Sequence, residues 1–206
     1  VSDWGATIGP DGIIGPVAPS PHAGSVHSRS ATPPNYWQSA PGVHTGHKKR
    51  ATIKTLGFVY VPALRTKQVW AAPIVEGITR PALALGLGHY PKTAALGGIG
   101  NSVLAGHRNS HGALLRYIDK LRKGAHVVVR IRDRWFVYVL DRSTIVRPTA
   151  HWVMRNRPFP SNYGRLITLV SCHPAHQSRL RFVWWGHLAR SIPATGKPPA
   201  ELKLKR

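Results

Sequence analysis

The only cysteine of this 206-residue chain, Cys172, stands in a setting that could activate a thiol. It follows an apolar run, residues 166–170 (LITLV), and is itself followed by His173 and Pro174. We expect it at a strand end that opens onto a loop, because proline interrupts strand pairing. Histidines and arginines crowd the segment, and positive charge stabilises a thiolate. Cys172 is therefore a candidate nucleophile, although a lone strand cysteine can equally be a small buried apolar side chain.

Two basic residues elsewhere in the chain are candidates for the same chemistry. His107 comes directly after Gly106 and an apolar run at 101–105, so its imidazole is expected to project from a strand end. Arg181 opens the run 180–187, and a permanently charged guanidinium there could donate hydrogen bonds to a developing oxyanion. Taken singly, both signals are weak, since a lone histidine is more often structural and a lone arginine more often lies at the solvated surface.

Other chemistries find little support in the sequence. His107 and His111 are four residues apart, but Arg108 occupies the position where an HExxH metal motif needs an acid. One cysteine excludes disulfides within the chain and CxxC metal sites, and no Gly-x-Ser-x-Gly elbow occurs. With 7 acidic residues in the whole chain, a paired-carboxylate glycosidase or a calcium cage is hard to build. We predict no metal site and no cofactor.

The charge balance is extreme, with 29 Lys and Arg against 7 Asp and Glu and a formal net charge of +22. A basic folded surface attracts polyanions, which include nucleic acid, anionic lipid headgroups and phosphate-bearing wall polymers. A non-catalytic nucleic-acid-binding β-barrel is therefore an alternative to an enzyme. Such a protein would bind oligonucleotides in a salt-dependent manner and would be indifferent to the loss of Cys172.

Composition divides the chain into three parts. Residues 1–50 are rich in Gly, Pro, Ser and His and are predicted to form a linker or N-terminal arm. Residues 51–192 are expected to fold as one domain, and residues 193–206 form a basic tail. No run of 18 apolar residues occurs, and the chain begins at Val1, so we expect a signal or anchor segment to precede it.

The central part of the chain has mainly the pattern of strands. Short runs rich in β-branched and aromatic residues predict strands at 55–61, 68–72, 101–105, 126–131, 135–140, 165–171 and 180–187. A hairpin is predicted to turn at residues 132–134. One α-helix is predicted over residues 112–123, where Leu114, Leu115, Ile118 and Leu121 have helical spacing. Many strands with one helix indicate a mainly β barrel or sandwich with a helical insert.

Four segments occur in an order that is far more specific than any one of them. They are residues 85–91 (LGLGHYP), 100–108 (GNSVLAGHR), 119–124 (DKLRKG) and 168–174 (TLVSCHP). Together with Arg181, nine residues after Cys172, they resemble the sortase family and are most similar to the class E sortases of actinobacteria. The resemblance covers roughly residues 52–190, and it implies a single closed sortase-type β-barrel with one or two short helices inserted.

The same resemblance implies a set of catalytic residues. It maps the family's histidine, cysteine and arginine onto His107, Cys172 and Arg181. Ser171 stands where the family usually has threonine, which keeps a hydroxyl at that position. Arg179 competes with Arg181 for the role of oxyanion donor, because the two are spaced to share one face of a strand. We prefer Arg181, since its spacing from the cysteine fits the family better.

The implied substrate wall is lined by Ala105 and Val170, and less firmly by Tyr90, with Arg179 nearby. Along it we expect a cysteine transpeptidase to cleave an LAxTG/LPxTG-like sorting signal between Thr and Gly through a thioacyl-enzyme. The partners would be surface proteins that carry the signal and an amine from a peptidoglycan precursor or a pilin. The family works without an organic cofactor, and the scarcity of acids argues against calcium.

The resemblance also implies a cellular location and a different interpretation of the positive charge. We expect an extracytoplasmic domain, anchored to the membrane through an N-terminal segment, whose cationic surface meets anionic membrane or wall polymers rather than a specific nucleic acid. Another cysteine transpeptidase, such as an L,D-transpeptidase, is a further alternative. Its signature places Ser-His-Gly directly before the cysteine, whereas residues 110–112 (SHG) are followed by Ala113.

Overall fold

The computed structural model describes residues 52–64, 71–113 and 115–202, together with the backbone of two short N-terminal strands. These strands, β1 (Ala6–Ile8) and β2 (Ile14–Pro16), pair antiparallel with Thr7 opposite Gly15. The remainder of the predicted N-terminal arm, residues 68–70 of the predicted strand 68–72, Leu114 and residues 203–206 lie outside the described part of the chain.

Eight further strands close into a barrel, which confirms the predicted mainly β barrel fold. The order around the barrel is β10-β8-β7-β3-β4-β5-β6-β9. Neighbouring strands are antiparallel, except that β4–β5 and β6–β9 are parallel. The strands are β3 (Thr55–Tyr60), β4 (Ala72–Glu76), β5 (Leu87–His89), β6 (Gly100–Ala105), β7 (His126–Ile131), β8 (Arg134–Val146), β9 (Arg165–His173) and β10 (Leu180–Pro193).

Short helical segments connect the strands. The α-helix α1 (Arg80–Leu85), which the sequence analysis missed, begins at Thr79, whose hydroxyl accepts a hydrogen bond from the Ala82 N–H at 3.4 Å. The parallel crossing from β4 to β5 needs such an insert because both strands run the same way. Single 3-10 turns occur at Pro62–Leu64, His111–Ala113, Ile118–Lys120, His151–Met154 and Ala200–Leu202.

The predicted α-helix over residues 112–123 is wrong. The chain instead makes two 3-10 turns, and positive φ values at His111 (48°), Gly112 (77°) and Ala113 (46°) block a continuous helix. Three of the apolar side chains that suggested the helix, Leu115, Ile118 and Leu121, are nevertheless buried. Residues three apart face the same side of a 3-10 turn as well as of an α-helix, so the spacing did not distinguish the two.

The strand and hairpin predictions in the second half of the chain are confirmed. The hairpin of β7 and β8 turns at Arg132 and Asp133, and Arg132 takes a positive φ of 49°. Val127 and Val129 point from β7 into the barrel, where they join the main apolar cluster. The interior is filled with β-branched and leucine side chains. Removing each of these side chains from water stabilises the fold by about 1.5–3 kcal/mol.

The two faces of β9 serve different purposes. Ile167 and Leu169 belong to the cluster that fills the barrel. Val170 belongs to a second apolar cluster on the outside of the barrel, with Val183 and Trp185. Because successive side chains of a strand point to opposite faces, Cys172 shares the outer face with Val170.

Residues 193–202, the described part of the predicted basic tail, lie against the barrel. Ala194 and Leu202 pack on an apolar cluster that contains Tyr60 and Trp135. Arg190 on β10 donates to a Glu201 carboxylate oxygen at 2.7 Å, and the carboxylate's pKa is lowered even though partial burial opposes the shift. The end of β10 is thereby fastened to the segment that follows it.

Candidate active site

The parallel pair β6 and β9 brings two of the predicted site residues to the same end of the barrel. Their register places Ala105 beside Val170. One residue further, the Gly106 N–H donates to the Val170 carbonyl at 3.0 Å, and the Ser171 hydroxyl donates to the Gly106 carbonyl at 2.9 Å. The chain is therefore fixed immediately before His107 and immediately before Cys172.

Gly106 is needed at this point because of space. A Cβ added there would lie 2.2 Å from a methyl carbon of Leu87 and 3.2 Å from one of Leu115, both in the core. Any side chain larger than hydrogen would therefore clash with the core at this position. Gly86 and Gly88 likewise lie against backbone carbonyls of Pro73 and Gly77.

Arg181 lies directly opposite Cys172 in the antiparallel pairing of β9 and β10. Directly opposed residues of an antiparallel pair project on the same face, with Cβ atoms about 4.5–5.5 Å apart. Cys172 is a free, half-buried thiol, and Arg181 is also half-buried. Nη1 of Arg181 donates to the carbonyls of Ser178 and Leu180, each at 2.9 Å, and these bonds hold the guanidinium near the beginning of β10.

The rival arginine is placed differently. Arg179 precedes β10, which begins at Leu180, and its side chain is exposed on the connecting loop. It has no partner in the ladder of β9, so the pairing that aligns Arg181 with Cys172 does not extend to it. The alternation on one strand face that made Arg179 a rival does not apply to a loop residue.

His107 is half-buried and stacks on a second imidazole. Its ring centroid lies 4.9 Å from that of His111, with an angle of 28° between the planes. Burial lowers the pKa of His107 below its ordinary value of 6.5, and the charge on His111 lowers it further. The neutral imidazole is thus the main form of His107 at neutral pH. His111 received a role only in the rejected HExxH motif, yet its charge adds to the effect of burial in lowering the pKa of His107.

Arg108 is the site residue that the sequence analysis missed. Its side chain is 2% exposed, and its Nη2 lies 2.8 Å from an Asp119 carboxylate oxygen. Its Nη1 donates to the Cys172 carbonyl at 3.2 Å and to Nδ1 of His173 at 2.9 Å. The scarcity of acids was a sequence signal for this ion pair, because each acid in so basic a chain is expected to have a basic partner.

An apolar strip adjoins Cys172 on the outer face of the barrel. Ala105 and Val170 are paired on β6 and β9, and Val183 is paired with Val170 from β10. The Tyr90 N–H donates to the Val103 carbonyl at 2.8 Å, so the backbone of Tyr90 lies beside β6.

The segment around His151–Met154 is held against the outer face of the barrel by buried polar groups. The Asn101 amide donates to the carbonyls of Val153 and Arg155, at 3.3 and 3.1 Å, and its oxygen accepts from Thr168 at 2.6 Å. The Trp185 indole donates to the same Val153 carbonyl at 3.1 Å. Trp185 therefore supports this segment.

Its neighbour Trp184 points the other way, into the barrel, where its indole donates to the Ile118 carbonyl at 2.9 Å.

Among the described residues, no three His, Cys, Asp or Glu side chains are grouped as metal ligands would be. No helix in the part of the chain that the structure describes is long and apolar enough to cross a membrane.

Comparison with known proteins assigns this arrangement to a family. The family model for the sortase domain matches residues 59–189, more than half of the chain, and covers every predicted site residue. The chain belongs to the sortase family. The predicted family and enzyme class are thereby confirmed.

Relatives of this chain include class E sortases. Sortase SrtE1 of Streptomyces coelicolor is 39% identical over 140 residues, which are 62% of this chain and 40% of that protein. Sortase E of Streptomyces avermitilis is 36% identical, with a TM-score of 0.66 over 73% of this chain and 97% of the other. Sortase E1 of S. coelicolor, solved with a tripeptide in its active site, is 33% identical, with a TM-score of 0.67 over the same shares. The chain spans about two fifths of the length of curated SrtE1.

Proposed function

We propose that this sortase domain is a cysteine transpeptidase that cleaves an LAxTG/LPxTG-like sorting signal between Thr and Gly. The observation that carries the proposal is the register of three adjacent strands. It places Arg181 opposite Cys172 across β9 and β10, while the Gly106 hydrogen bonds hold His107 at the same end of β6. A nucleophile, a proton carrier and an oxyanion donor at one strand end are the parts that acyl transfer through a thioester needs.

The proposed reaction has two half-reactions. In the first, the Cys172 thiolate attacks the Thr carbonyl, Arg181 donates to the oxyanion, and imidazolium His107 gives its proton to the departing Gly amine as the C–N bond breaks. In the second, an amine attacks the thioester, His107 takes its proton, and the C–S bond breaks to regenerate the thiolate. The thioester conserves the energy of the acyl group between the two steps.

The apolar strip beside Cys172 supports a substrate with small apolar residues before the Thr. Ala105 and Val170 are paired on the strands that lead to the catalytic end, and the backbone of Tyr90 is hydrogen-bonded to β6. We assign these three residues to the sorting signal and Arg179 to the rim, where an exposed cation can meet the carboxyl-terminal part of the peptide. The acceptor is proposed to be the amine of a peptidoglycan precursor or of a pilin lysine.

A peptide assay tests this proposal. Incubation of the protein with an LAxTG peptide is expected to add to Cys172 the mass of the peptide up to Thr, with release of the fragment that begins at Gly. Adding a small amine should convert the adduct into a Thr amide, as measured by mass spectrometry. A peptide with Thr and Gly exchanged serves as the control. Cleavage at another bond, or no adduct with LAxTG and LPxTG peptides at millimolar concentration, would contradict the proposal.

The pH dependence of acylation should respond to His111. Replacing His111 with glutamine removes a charge that lowers the pKa of His107, so this pKa is expected to rise. Since the first half-reaction needs protonated His107, the alkaline limb of the single-turnover acylation rate should move to higher pH. Histidine Cε1–Hε1 NMR titration measures the pKa directly.

His151→Gln is the matched control for His111→Gln, because His151 is exposed on another segment. It should leave both the titration of His107 and the pH–rate profile unchanged. An alkaline limb that stays in place or moves to lower pH in His111→Gln would show that His107 is not the proton donor.

The proposed location follows from the family and the charge together. We propose that the domain works outside the cytoplasmic membrane, held there by an N-terminal anchor. Its net charge of +22 would draw it to anionic lipid headgroups and wall polymers. Exposed cations on several strands and loops, including Arg179, contribute to that field.

A further inference from the structure

Arg108 is a fully buried cation that makes contacts in four directions. Its Nη2 pairs with Asp119 at 2.8 Å, and its Nε donates to the Arg116 carbonyl at 3.2 Å. Its Nη1 reaches the Cys172 carbonyl at 3.2 Å and Nδ1 of His173 at 2.9 Å. Every nitrogen of the guanidinium is therefore engaged, and the acceptors come from two separate parts of the chain.

A buried ion pair of this kind is a poor device for stability alone. Arginine stays charged in proteins, so its burial requires pairing, and the loss of hydration offsets most of the attraction between the charges. Apolar side chains of similar volume often stabilise such a position better. The guanidinium instead determines orientation, because its planar arrangement of N–H donors fixes the positions of several acceptors relative to one another.

The acceptors are those that determine the geometry of the site. Arg108 is the residue after His107, and it binds the backbone carbonyl of Cys172 itself. It thus joins, through one side chain, the chain positions of the proposed proton carrier and the proposed nucleophile. Asp119 and the Arg116 carbonyl hold the guanidinium from the opposite side.

We propose that Arg108, oriented by Asp119, is a positioning residue that sets the placement of the Cys172 backbone relative to His107 during acyl transfer. The inference rests on the proposed function, which gives Cys172 and His107 their roles. Reacting atoms must approach to about 3–3.5 Å in the correct alignment, and a misplacement of about 1 Å can cost 10²-fold in rate. In the contact to His173, the arginine N–H can only donate, so Nδ1 of His173 is the acceptor.

The test compares Asp119→Asn with Asp141→Asn. Both acids pair with a basic side chain and are about equally exposed, at 30% and 21%, but Asp141 pairs with His187 away from Cys172. Asp119→Asn keeps the shape of the side chain and removes its charge. With the LAxTG peptide, we expect kcat to fall about 10- to 100-fold with KM changed less than about twofold, because orientation is lost and binding is not. Asp141→Asn should keep kcat.

Arg108→Lys and Arg108→Gln extend the test. Lysine keeps the charge but not the planar arrangement of donors, so both variants are expected to lose kcat to a similar extent. Amide hydrogen exchange on the free protein gives a readout that needs no substrate. In Asp119→Asn, exchange at residues 106–108 and 171–173 should accelerate about tenfold or more, and in Asp141→Asn it should not.

Wild-type kcat in Asp119→Asn, or a loss of kcat that merely follows the loss of thermal stability in both acid variants, would overturn the inference. Unchanged exchange at residues 106–108 and 171–173 would overturn it as well, even where no peptide is turned over. The proposed function fails separately, if Cys172→Ala still forms product. A dead Cys172→Ala together with a fully active Asp119→Asn leaves the proposed function intact and removes only the positioning role.

Discussion

Cys172→Ala is expected to abolish both the peptide adduct and turnover, with a loss of rate of roughly 10⁴-fold or more. The physical reason is that no other side chain of this protein can form the thioester, since Cys172 is the only cysteine. Its half-buried side chain is small, so alanine should leave the fold and its melting temperature nearly unchanged. Intact-protein mass spectrometry after incubation with an LAxTG peptide measures the adduct.

The matched control for Cys172→Ala is His176→Ala. His176 is exposed in the loop that follows β9, close in sequence to the thiol, and is assigned no chemical role. It should keep the adduct and at least half of the rate. An adduct on Cys172→Ala, or product formation at a wild-type rate, would show that another group is the nucleophile.

Arg181→Ala is expected to lower kcat by about 10²–10³-fold, the typical cost of removing one oxyanion donor. The donor acts only on charge that develops in the transition state, so KM should change much less than kcat. Arg179→Ala is the internal control and should retain kcat, because Arg179 is exposed on the loop and has no partner on β9. Single-turnover rates of thioacyl formation separate this step from the transfer step.

Arg181→Lys refines the same experiment. Lysine keeps a positive charge but presents a different geometry, so we expect a partial recovery of kcat relative to alanine. A normal Arg181→Ala protein together with an inactive Arg179→Ala protein would reverse the assignment of the two arginines. Equal losses of kcat in both alanine variants would mean that the two arginines act jointly through their combined positive charge.

Much of the fold could be predicted locally. The strands that became β7 and β8 combine β-branched residues, alternation and a short polar turn, and all three features act over a few residues. The segment at 112–123 misled because its apolar spacing fits two kinds of helix. The structure shows positive φ values at His111, Gly112 and Ala113, and of these three residue types only glycine favours such a conformation.

The sequence suggested which residues form the candidate site, but not how they are arranged. The order of His107, Cys172 and Arg181 along the chain, within motifs of the sortase family, was enough to propose them. Arg108 could not be found in this way, because its value lies in acceptors 64 and 65 residues away, at Cys172 and His173. A sequence filled with arginines offers no local sign of which one is buried.

By itself, the sequence determined the chemistry available to this protein: a single thiol in a basic setting, few acids and a strand-rich chain of the sortase family. The tertiary structure decided which charges serve that thiol. Strand register aligns Arg181 rather than Arg179 with Cys172, and contact with the end of β9 holds the buried Arg108 beside Cys172 and His173. The reason is physical, since register and burial are set by contacts between residues far apart in the chain, which no local pattern contains.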